Sequence, residues 1–296
     1  MSWQGVYPAV TTQFHADESL DLASTQRLIA EQVDDGVDGI VALGTCGENA
    51  SLSAEEKQSV LRALREAIGN RMPLLAGVAE TTTAGAVRYV RAAEAVVDGF
   101  MVLPGLNYPS EPHETVHHLR AVAAATARPL MIYNNPIAYH VDITVQMLAE
   151  LATVPTIVAV KEASEDARRI TDLINEVGER YAIFAGVDDF VLEAVLLGAV
   201  GWVSGLTSAF SRESVAMFRH ARAGRYAEAL ALYRWFMPIL HLDSRPTLVQ
   251  CIKLASAMVG RGTEQTRAPR LALAGEARAH VIRVVEAALA SRPVLG

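Results

Sequence analysis

Short apolar runs rich in β-branched residues alternate along the chain with longer segments of helical periodicity. Eight such runs occur, at residues 6–11, 39–43, 73–78, 99–103, 129–133, 156–160, 181–185 and 200–204. Between them lie segments such as 53–68, which opens with a capping-box pattern and repeats apolar residues on one helical face. This alternation is typical of parallel strands covered by helices on both sides. Eight strands fit a closed (β/α)8 barrel, an α/β fold, better than an open sheet.

The pattern changes after residue 224. Segments 225–240, 245–259 and 275–290 have helical periodicity, and no apolar strand separates them. No linker rich in Pro, Gly or Ser divides these helices from the barrel. We therefore predict a catalytic barrel over 1–224 and a C-terminal helical extension over 225–296 that packs on it.

Charge and composition exclude several classes of protein. The 26 Lys and Arg residues face 33 Asp and Glu, a net charge of -7, so we expect no nucleic-acid partner. Apolar runs end well short of the roughly 18 residues that a membrane span needs, so we expect no membrane association. Two cysteines, Cys46 and Cys251, and the lack of a signal-peptide pattern at the start suit the cytoplasm.

The sixth apolar run ends in a lysine, at the barrel end where catalytic residues collect. Lys161 follows five apolar residues, and its side chain alternates inward with Ile157 and Ala159. Loss of water inside a barrel favours the neutral amine, which can attack a carbonyl or imine carbon to form a Schiff base. The alternative is a lysine that reaches solvent from the strand end or pairs with Glu162.

A tyrosine ends the fifth run, on the neighbouring strand. The phenol of Tyr133 could carry protons to and from a carbinolamine formed on Lys161. The alternative is a tyrosine at the edge of the core whose hydroxyl bonds a loop carbonyl.

A glycine-bracketed turn follows the second run. Backbone N–H groups around Gly44 and Thr45, with the threonine hydroxyl, could hold a substrate carboxylate. Glycine turns are also common between strand and helix, so a purely structural turn stays open. We interpret Cys46 as a small packing residue in this loop, because no histidine lies near it in sequence.

Polar residues also end the seventh and eighth runs. Gly186 precedes the paired acids Asp188 and Asp189, and Ser204 ends the eighth run. These groups could bind substrate hydroxyls or an amine. An aspartate that caps the following helix is the alternative.

The sequence contains no recognisable metal or phosphate motif. His113 and His117 have helical i, i+4 spacing, but they lie in a polar stretch without the Glu of an H-E-x-x-H core, which favours a solvated helix face. The loops after the seventh and eighth runs lack a Gly-x-Gly or Walker pattern. We expect no metal and no cofactor beyond a covalent Schiff base on Lys161.

Four motifs stand in order at the predicted strand ends: GTCGE at 44–48, YNNP at 133–136, VKEAS at 160–164 and GVDD at 186–189. Together they resemble the dihydrodipicolinate synthase and N-acetylneuraminate lyase superfamily of Schiff-base aldolases. The likeness covers nearly the whole chain, because that family has a barrel followed by C-terminal helices and residues 267–273 resemble its segment before the last helix. It implies a Schiff base between Lys161 and a 2-oxo acid, proton relay by Tyr133, carboxylate binding by Gly44, Thr45 and Cys46, and a homotetramer or dimer.

Three positions depart from the pattern of the synthases. The segment at 104–107 reads PGLN, where they carry two tyrosines behind the proline, so the second tyrosine of their relay is absent. Ala138 stands where they place an arginine for a second carboxylate, and Cys46 replaces the second threonine of their GTTGE loop. These departures make aspartate semialdehyde a poor candidate substrate.

Residues 10–14, 133–142 and 232–236 most resemble the 1-pyrroline-4-hydroxy-2-carboxylate deaminases of bacterial hydroxyproline degradation. That resemblance implies that Lys161 opens a cyclic imine and supports loss of the 4-hydroxyl, giving 2,5-dioxopentanoate and ammonia. The leaving hydroxyl needs a proton donor, and Tyr139 and His140 could point at the far end of the substrate. Loop packing is the alternative for both.

Other function hypotheses stay open. One is an aldolase or dehydratase of a 2-keto-3-deoxy sugar acid, with Asp188, Asp189 and Ser204 holding hydroxyls, and another is a dihydrodipicolinate synthase-like protein. A third is a ligand-binding regulator without turnover. Because Lys161 and Tyr133 are both present, we favour an enzyme that acts on a small 2-oxo or 2-imino acid.

Overall fold

Eight parallel strands form the centre of the protein. The computed structural model describes residues 3–105 and 109–295, so Leu106 and Asn107 of the PGLN segment lie outside the described residues. The strands are β1 (Gly5–Pro8), β2 (Ile40–Ala42), β3 (Leu74–Val78), β4 (Gly99–Val102), β5 (Leu130–Asn134), β6 (Ile157–Glu162), β7 (Ala182–Ala185) and β8 (Gly201–Ser204).

The strands close into a barrel. From β2 to β8 each strand pairs with the next in sequence, and β8 pairs with β1. A parallel bridge between Ala9 and Val41 joins β1 to β2, and the Val10 N–H donates to the Val41 carbonyl at 3.0 Å. The predicted (β/α)8 barrel is confirmed. Its strands are buried on both faces, which explains why the sequence shows continuous apolar runs.

Helices surround the strands and then continue beyond them. They are α1 (Leu22–Asp34), α2 (Ala54–Ile68), α3 (Thr83–Ala93), α4 (Pro112–Ala123), α5 (Pro136–Tyr139), α6 (Val145–Leu151), α7 (Arg168–Val177), α8 (Val191–Leu196), α9 (Ser211–Arg222), α10 (Tyr226–Leu240), α11 (Leu248–Met258) and α12 (Gly275–Ala290). The predicted capping box begins α2, where the Glu56 N–H donates to Ser53 Oγ at 3.2 Å and the Ser53 N–H donates to the Glu56 carboxylate at 2.9 Å.

The last three helices contact the barrel and one another. Phe236 of α10 is fully buried and packs edge-on against Phe210, at the start of α9. Trp235 Nε1 donates to the Ala288 carbonyl of α12 at 3.1 Å. The first contact joins α10 to the barrel and the second joins α12 to α10, while the division into 1–224 and 225–296 stays a prediction. In the described ranges, no helix is long and apolar enough to span a bilayer.

Candidate active site

Lys161 and Tyr133 lie side by side across β5 and β6. The two residues are partners in the parallel register, and both are about 6% exposed. Lys161 Nζ lies 4.0 Å from the centroid of the Tyr133 ring. The amine and the phenol therefore face the same space inside the barrel mouth, as a proton relay to a Schiff base would need.

Among the described residues, Lys161 is the one lysine without an ion pair. The chain has three lysines. Lys57 pairs with Glu80 at 2.8 Å, and Lys253 pairs with Glu48 at 2.6 Å. A buried lysine with no carboxylate within ion-pair distance has an amine that is free to react as a nucleophile.

Glu162 does not neutralise the neighbouring lysine, because it points to the other face of β6. Its carboxylate accepts hydrogen bonds from Asn134 Nδ2 at 3.1 Å and from the Ser164 N–H at 2.7 Å. Burial raises the pKa of Glu162, and these hydrogen bonds oppose that rise. The alternative of a Lys161–Glu162 pair is not what the structure shows.

Asn135 orients the phenol. Its Nδ2 donates to the Tyr133 hydroxyl at 3.1 Å, while its Oδ1 caps α5 by accepting the Ala138 N–H at 2.9 Å. Burial raises the pKa of Tyr133, so the phenol keeps its proton near neutral pH. The YNNP motif thus ties Tyr133 to the start of a short helix.

Gly186 makes room for the lysine. A Cβ at this position would lie 2.9 Å from Cγ of Lys161 and 2.8 Å from the carbonyl oxygen of Glu162. Its N–H already donates to that carbonyl at 2.8 Å. The contacts favour a packing role, and the predicted substrate contact stays a prediction.

The loop after β2 is held in an uncommon backbone conformation. Leu43 and Glu48, which flank the GTCG turn, both have left-handed φ angles, 57° and 54°. Asn49 Nδ2 donates to the Leu43 carbonyl at 2.8 Å, and Thr12 Oγ1 donates to the Gly47 carbonyl at 2.7 Å. Strain of this kind persists where surrounding contacts fix the backbone, and it is common at binding sites.

Thr45 meets the loop after β5. Its hydroxyl forms a hydrogen bond with the Tyr139 hydroxyl, and the Tyr139 ring packs edge-on against Tyr133 at 5.7 Å. His140 ends α5 in a left-handed conformation and is exposed. Tyr139 therefore faces the predicted carboxylate loop, whereas the predicted role of His140 as a proton donor gains no contact that supports it.

Cys46 lies buried in the same loop. Burial is the main cause that raises the pKa of its thiol, so the thiol is protonated near neutral pH. This agrees with the interpretation of Cys46 as a packing residue. The predicted carboxylate site at Gly44, Thr45 and Cys46 stays a prediction.

Asp188 and Ser204 are brought together, and their side chains are hydrogen-bonded within the protein. Asp188 Oδ2 accepts from Ser204 Oγ at 2.9 Å and from the Leu206 N–H at 3.1 Å, and its Oδ1 accepts from Trp202 Nε1 at 3.1 Å. Burial raises the pKa of Asp188 to about 6. Both carboxylate oxygens are thus occupied, so the structure favours a supporting role over direct contact with a substrate hydroxyl.

Sequence reasoning missed a carboxyl group at the barrel mouth. Asp243 lies in the loop between α10 and α11, and its Oδ1 is out of contact with solvent. The sequence motif around it, HLDSRP, gives no indication that this loop reaches the barrel. Only the packing of the C-terminal helices brings it there.

The histidines considered for a metal lie elsewhere. His113 and His117 are exposed on α4, as the sequence predicts. Within residues 3–105 and 109–295, no three His, Cys, Asp or Glu side chains are grouped to bind one metal ion.

The chain resembles known proteins over nearly its whole length. The model of the dihydrodipicolinate synthetase family matches residues 2–288. The chain belongs to this family. It is 35% identical over 274 residues to the 4-hydroxy-tetrahydrodipicolinate synthase of Moorella thermoacetica, with 91% of this chain and 92% of the relative covered.

Solved structures of this family have the same fold. The 4-hydroxy-tetrahydrodipicolinate synthase of Methylacidiphilum fumariolicum superposes with a TM-score of 0.93 at 29% identity, over 98% of this chain and 97% of that one. A prophage protein of the family from E. coli K12, solved in complex with pyruvate, superposes with a TM-score of 0.91 at 25% identity, over 97% and 99% of the two chains. The superfamily resemblance seen in the four motifs is confirmed.

Proposed function

We propose that this family member is a Schiff-base lyase that acts on a small 2-oxo or 2-imino acid. The observation that carries the proposal is the unpaired, buried amine of Lys161 beside the phenol of Tyr133. The substrate that we favour is 1-pyrroline-4-hydroxy-2-carboxylate. We also expect a homo-oligomer, a tetramer or a dimer, which light scattering would measure.

The first steps follow from the two side chains. The neutral amine of Lys161 attacks C2 of the cyclic imine, and Tyr133 carries the proton from that amine to the ring nitrogen as the C2–N bond breaks. The open chain is then held as a protonated imine on Lys161. Backbone N–H groups near Gly44 and the Thr45 hydroxyl hold its carboxylate.

The imine then serves as an electron sink. Loss of a C3 proton gives an enamine, which expels the 4-hydroxyl as water. The amine at C5 becomes an imine by tautomerisation, and hydrolysis of both imines consumes two waters. The products are 2,5-dioxopentanoate and ammonia, and Lys161 returns to the free amine, so the net reaction consumes one water.

The predicted second-carboxylate site is neutral, which supports a substrate with one carboxylate. Ala138, where the synthases are expected to carry an arginine, is exposed on α5 beside the exposed Ile137. Aspartate semialdehyde brings a second carboxylate that neither side chain can neutralise. The hydroxylated pyrroline has a single carboxylate, so it needs no second carboxylate site.

A synthase reaction between pyruvate and aspartate semialdehyde is the second candidate. Its support is the name of the Moorella relative, at 35% identity, and the fact that the E. coli neighbour was solved in complex with pyruvate. Both candidates use the same lysine, so product analysis must separate them.

The test is a comparison of three reactions with the purified protein. We expect ammonia release from the hydroxylated pyrroline with a kcat/KM at least about 100-fold above that for condensation of pyruvate with aspartate semialdehyde or for pyruvate release from a 2-keto-3-deoxy sugar acid. The control variant Lys161→Arg should release no ammonia. Faster condensation would identify a synthase, faster pyruvate release an aldolase, and binding without turnover a regulator.

A further inference from the structure

The loop between α10 and α11 is fastened to the barrel mouth by a single carboxylate. Asp189, four residues after the end of β7, accepts a hydrogen bond from Ser244 Oγ at 3.0 Å, and its Oδ2 lies 2.7 Å from His241 Nδ1. These two contacts flank Asp243 on either side. Asp189, predicted from sequence as a possible hydroxyl ligand, thus positions a loop.

The Asp243 side chain faces the predicted substrate loop. A Cβ at Gly205, directly after β8, would lie 3.0 Å from Asp243 Oδ1 and 3.1 Å from Cys46 Sγ. The carboxyl and the thiol therefore both lie close to Gly205, and Ile252 Cδ1 lies nearer still to the same Cβ position, at 2.5 Å. Cys46 is part of the loop predicted to hold the substrate carboxylate, so Asp243 borders the same site.

Asp243 also has an unused hydrogen-bonding group. Its Oδ1 is buried and has no hydrogen-bond partner among the described residues. A buried polar atom without a partner is costly, so such an atom at a site is suited to meet a ligand. Asp188, by contrast, has both oxygens occupied.

The surroundings favour the protonated form of this carboxyl. Burial is the main cause that raises the pKa of Asp243 well above its ordinary value; the negative charge of Asp188 adds to the rise, and Lys161 opposes it. A neutral carboxyl can donate a hydrogen bond and then a proton, as a general acid must.

We propose that Asp243 is the catalytic acid that protonates the leaving hydroxyl in the elimination described above. As the C4–O bond breaks, its electron pair stays on oxygen, the Asp243 carboxyl gives up its proton, and water leaves. The proton lost from C3 restores the Asp243 carboxyl, because both protons of the water that hydrolyses an imine end on nitrogen. This inference rests on the proposed function, and it replaces Tyr139 and His140 as the donor, because Tyr139 bonds Thr45 and His140 is exposed.

The experiment varies the leaving group. Asp243→Asn keeps the shape of the side chain but removes the acid, so kcat on the hydroxylated pyrroline should fall about 100- to 10,000-fold. The 4-chloro analogue expels chloride, which needs no proton. The kcat of the variant on this analogue should therefore lie within about threefold of that of the unchanged protein. Borohydride trapping of either compound on Lys161 should be unaffected. Asp172→Asn, which alters an exposed acid of α7, is the matched control.

Two results would overturn the assignment in a protein that does release ammonia. One is an unchanged kcat for Asp243→Asn on the hydroxylated compound, and the other is an equal loss with both leaving groups, which would mark a positioning residue. Failure of the proposed function would appear differently, as no ammonia from the unchanged protein. The protonation of Asp243 can be tested even in that case. Infrared difference spectra between the unchanged protein and Asp243→Asn should show the band of a protonated carboxyl at neutral pH. A carboxylate band alone would contradict the inference.

Discussion

Lys253 and Glu48 form a buried ion pair that ties α11 to the loop after β2. Lys253 Nζ lies 2.6 Å from Glu48 Oε1, and neither side chain is exposed. The ammonium also donates to the Gln265 carbonyl at 2.7 Å, and it lies 4.5 Å from the centroid of the Phe14 ring. Glu48 has a left-handed φ, so the pair holds a strained residue beside the predicted carboxylate loop.

The Lys253→Met variant removes the cation and leaves the carboxylate buried. Glu48 Oε2 still accepts a hydrogen bond from the Arg267 N–H at 3.1 Å, and Arg270 Nη1 lies 3.9 Å away from it. Part of the negative charge of Glu48 therefore stays compensated. Breaking a fully buried pair from one side costs about 3–5 kcal/mol, and this residual compensation favours the lower half, about 3–4 kcal/mol. In contrast, Arg168→Met breaks an exposed pair with Asp166 and should cost less than about 1 kcal/mol.

Urea unfolding followed by circular dichroism measures these losses. The double variant Glu48→Gln/Lys253→Met removes both charges, so we expect it to recover most of the stability that Lys253→Met loses. A loss below about 1 kcal/mol for Lys253→Met, or additive losses in the double variant, would refute the reasoning that the buried, uncompensated charge sets the cost.

Two further predictions concern individual side chains. Tyr133→Phe removes the proton carrier, so kcat should fall about 100- to 10,000-fold in steady-state assays while the circular dichroism spectrum stays unchanged. Gly186→Ala places a Cβ 2.9 Å from Cγ of Lys161 and should slow borohydride trapping on that lysine at least about tenfold, as timed by mass spectrometry.

The barrel was predictable because its strands are buried on both faces. Such strands appear as continuous apolar runs, and each of the eight runs overlaps an observed strand. The ends are less exact: the first run extends to residue 11, whereas β1 ends at Pro8, because the apolar residues that follow enter a buried loop instead of the sheet. The helix predicted over 245–259 begins at Leu248, after Pro246.

The site was predictable where chemistry and strand periodicity coincide. Lys161 and Tyr133 point inward because side chains alternate along a strand, and adjacent strands bring them together. Asp243 and the Lys253–Glu48 pair were missed, since the packing of C-terminal helices onto the barrel brings together residues that are far apart in sequence. The bond between Tyr139 and Thr45 depends on α5, a four-residue helix too short to show a periodic pattern.

The most direct test of Schiff-base chemistry at Lys161 is peptide mass spectrometry after borohydride reduction with the hydroxylated pyrroline or pyruvate. The chain has only three lysines, so the modified peptide identifies the nucleophile without ambiguity. We predict one reduced adduct, on the peptide that contains Lys161, and none in Lys161→Arg. An adduct on Lys57 or Lys253 alone, or turnover that persists in Lys161→Arg, would contradict the assignment of this lysine as the nucleophile.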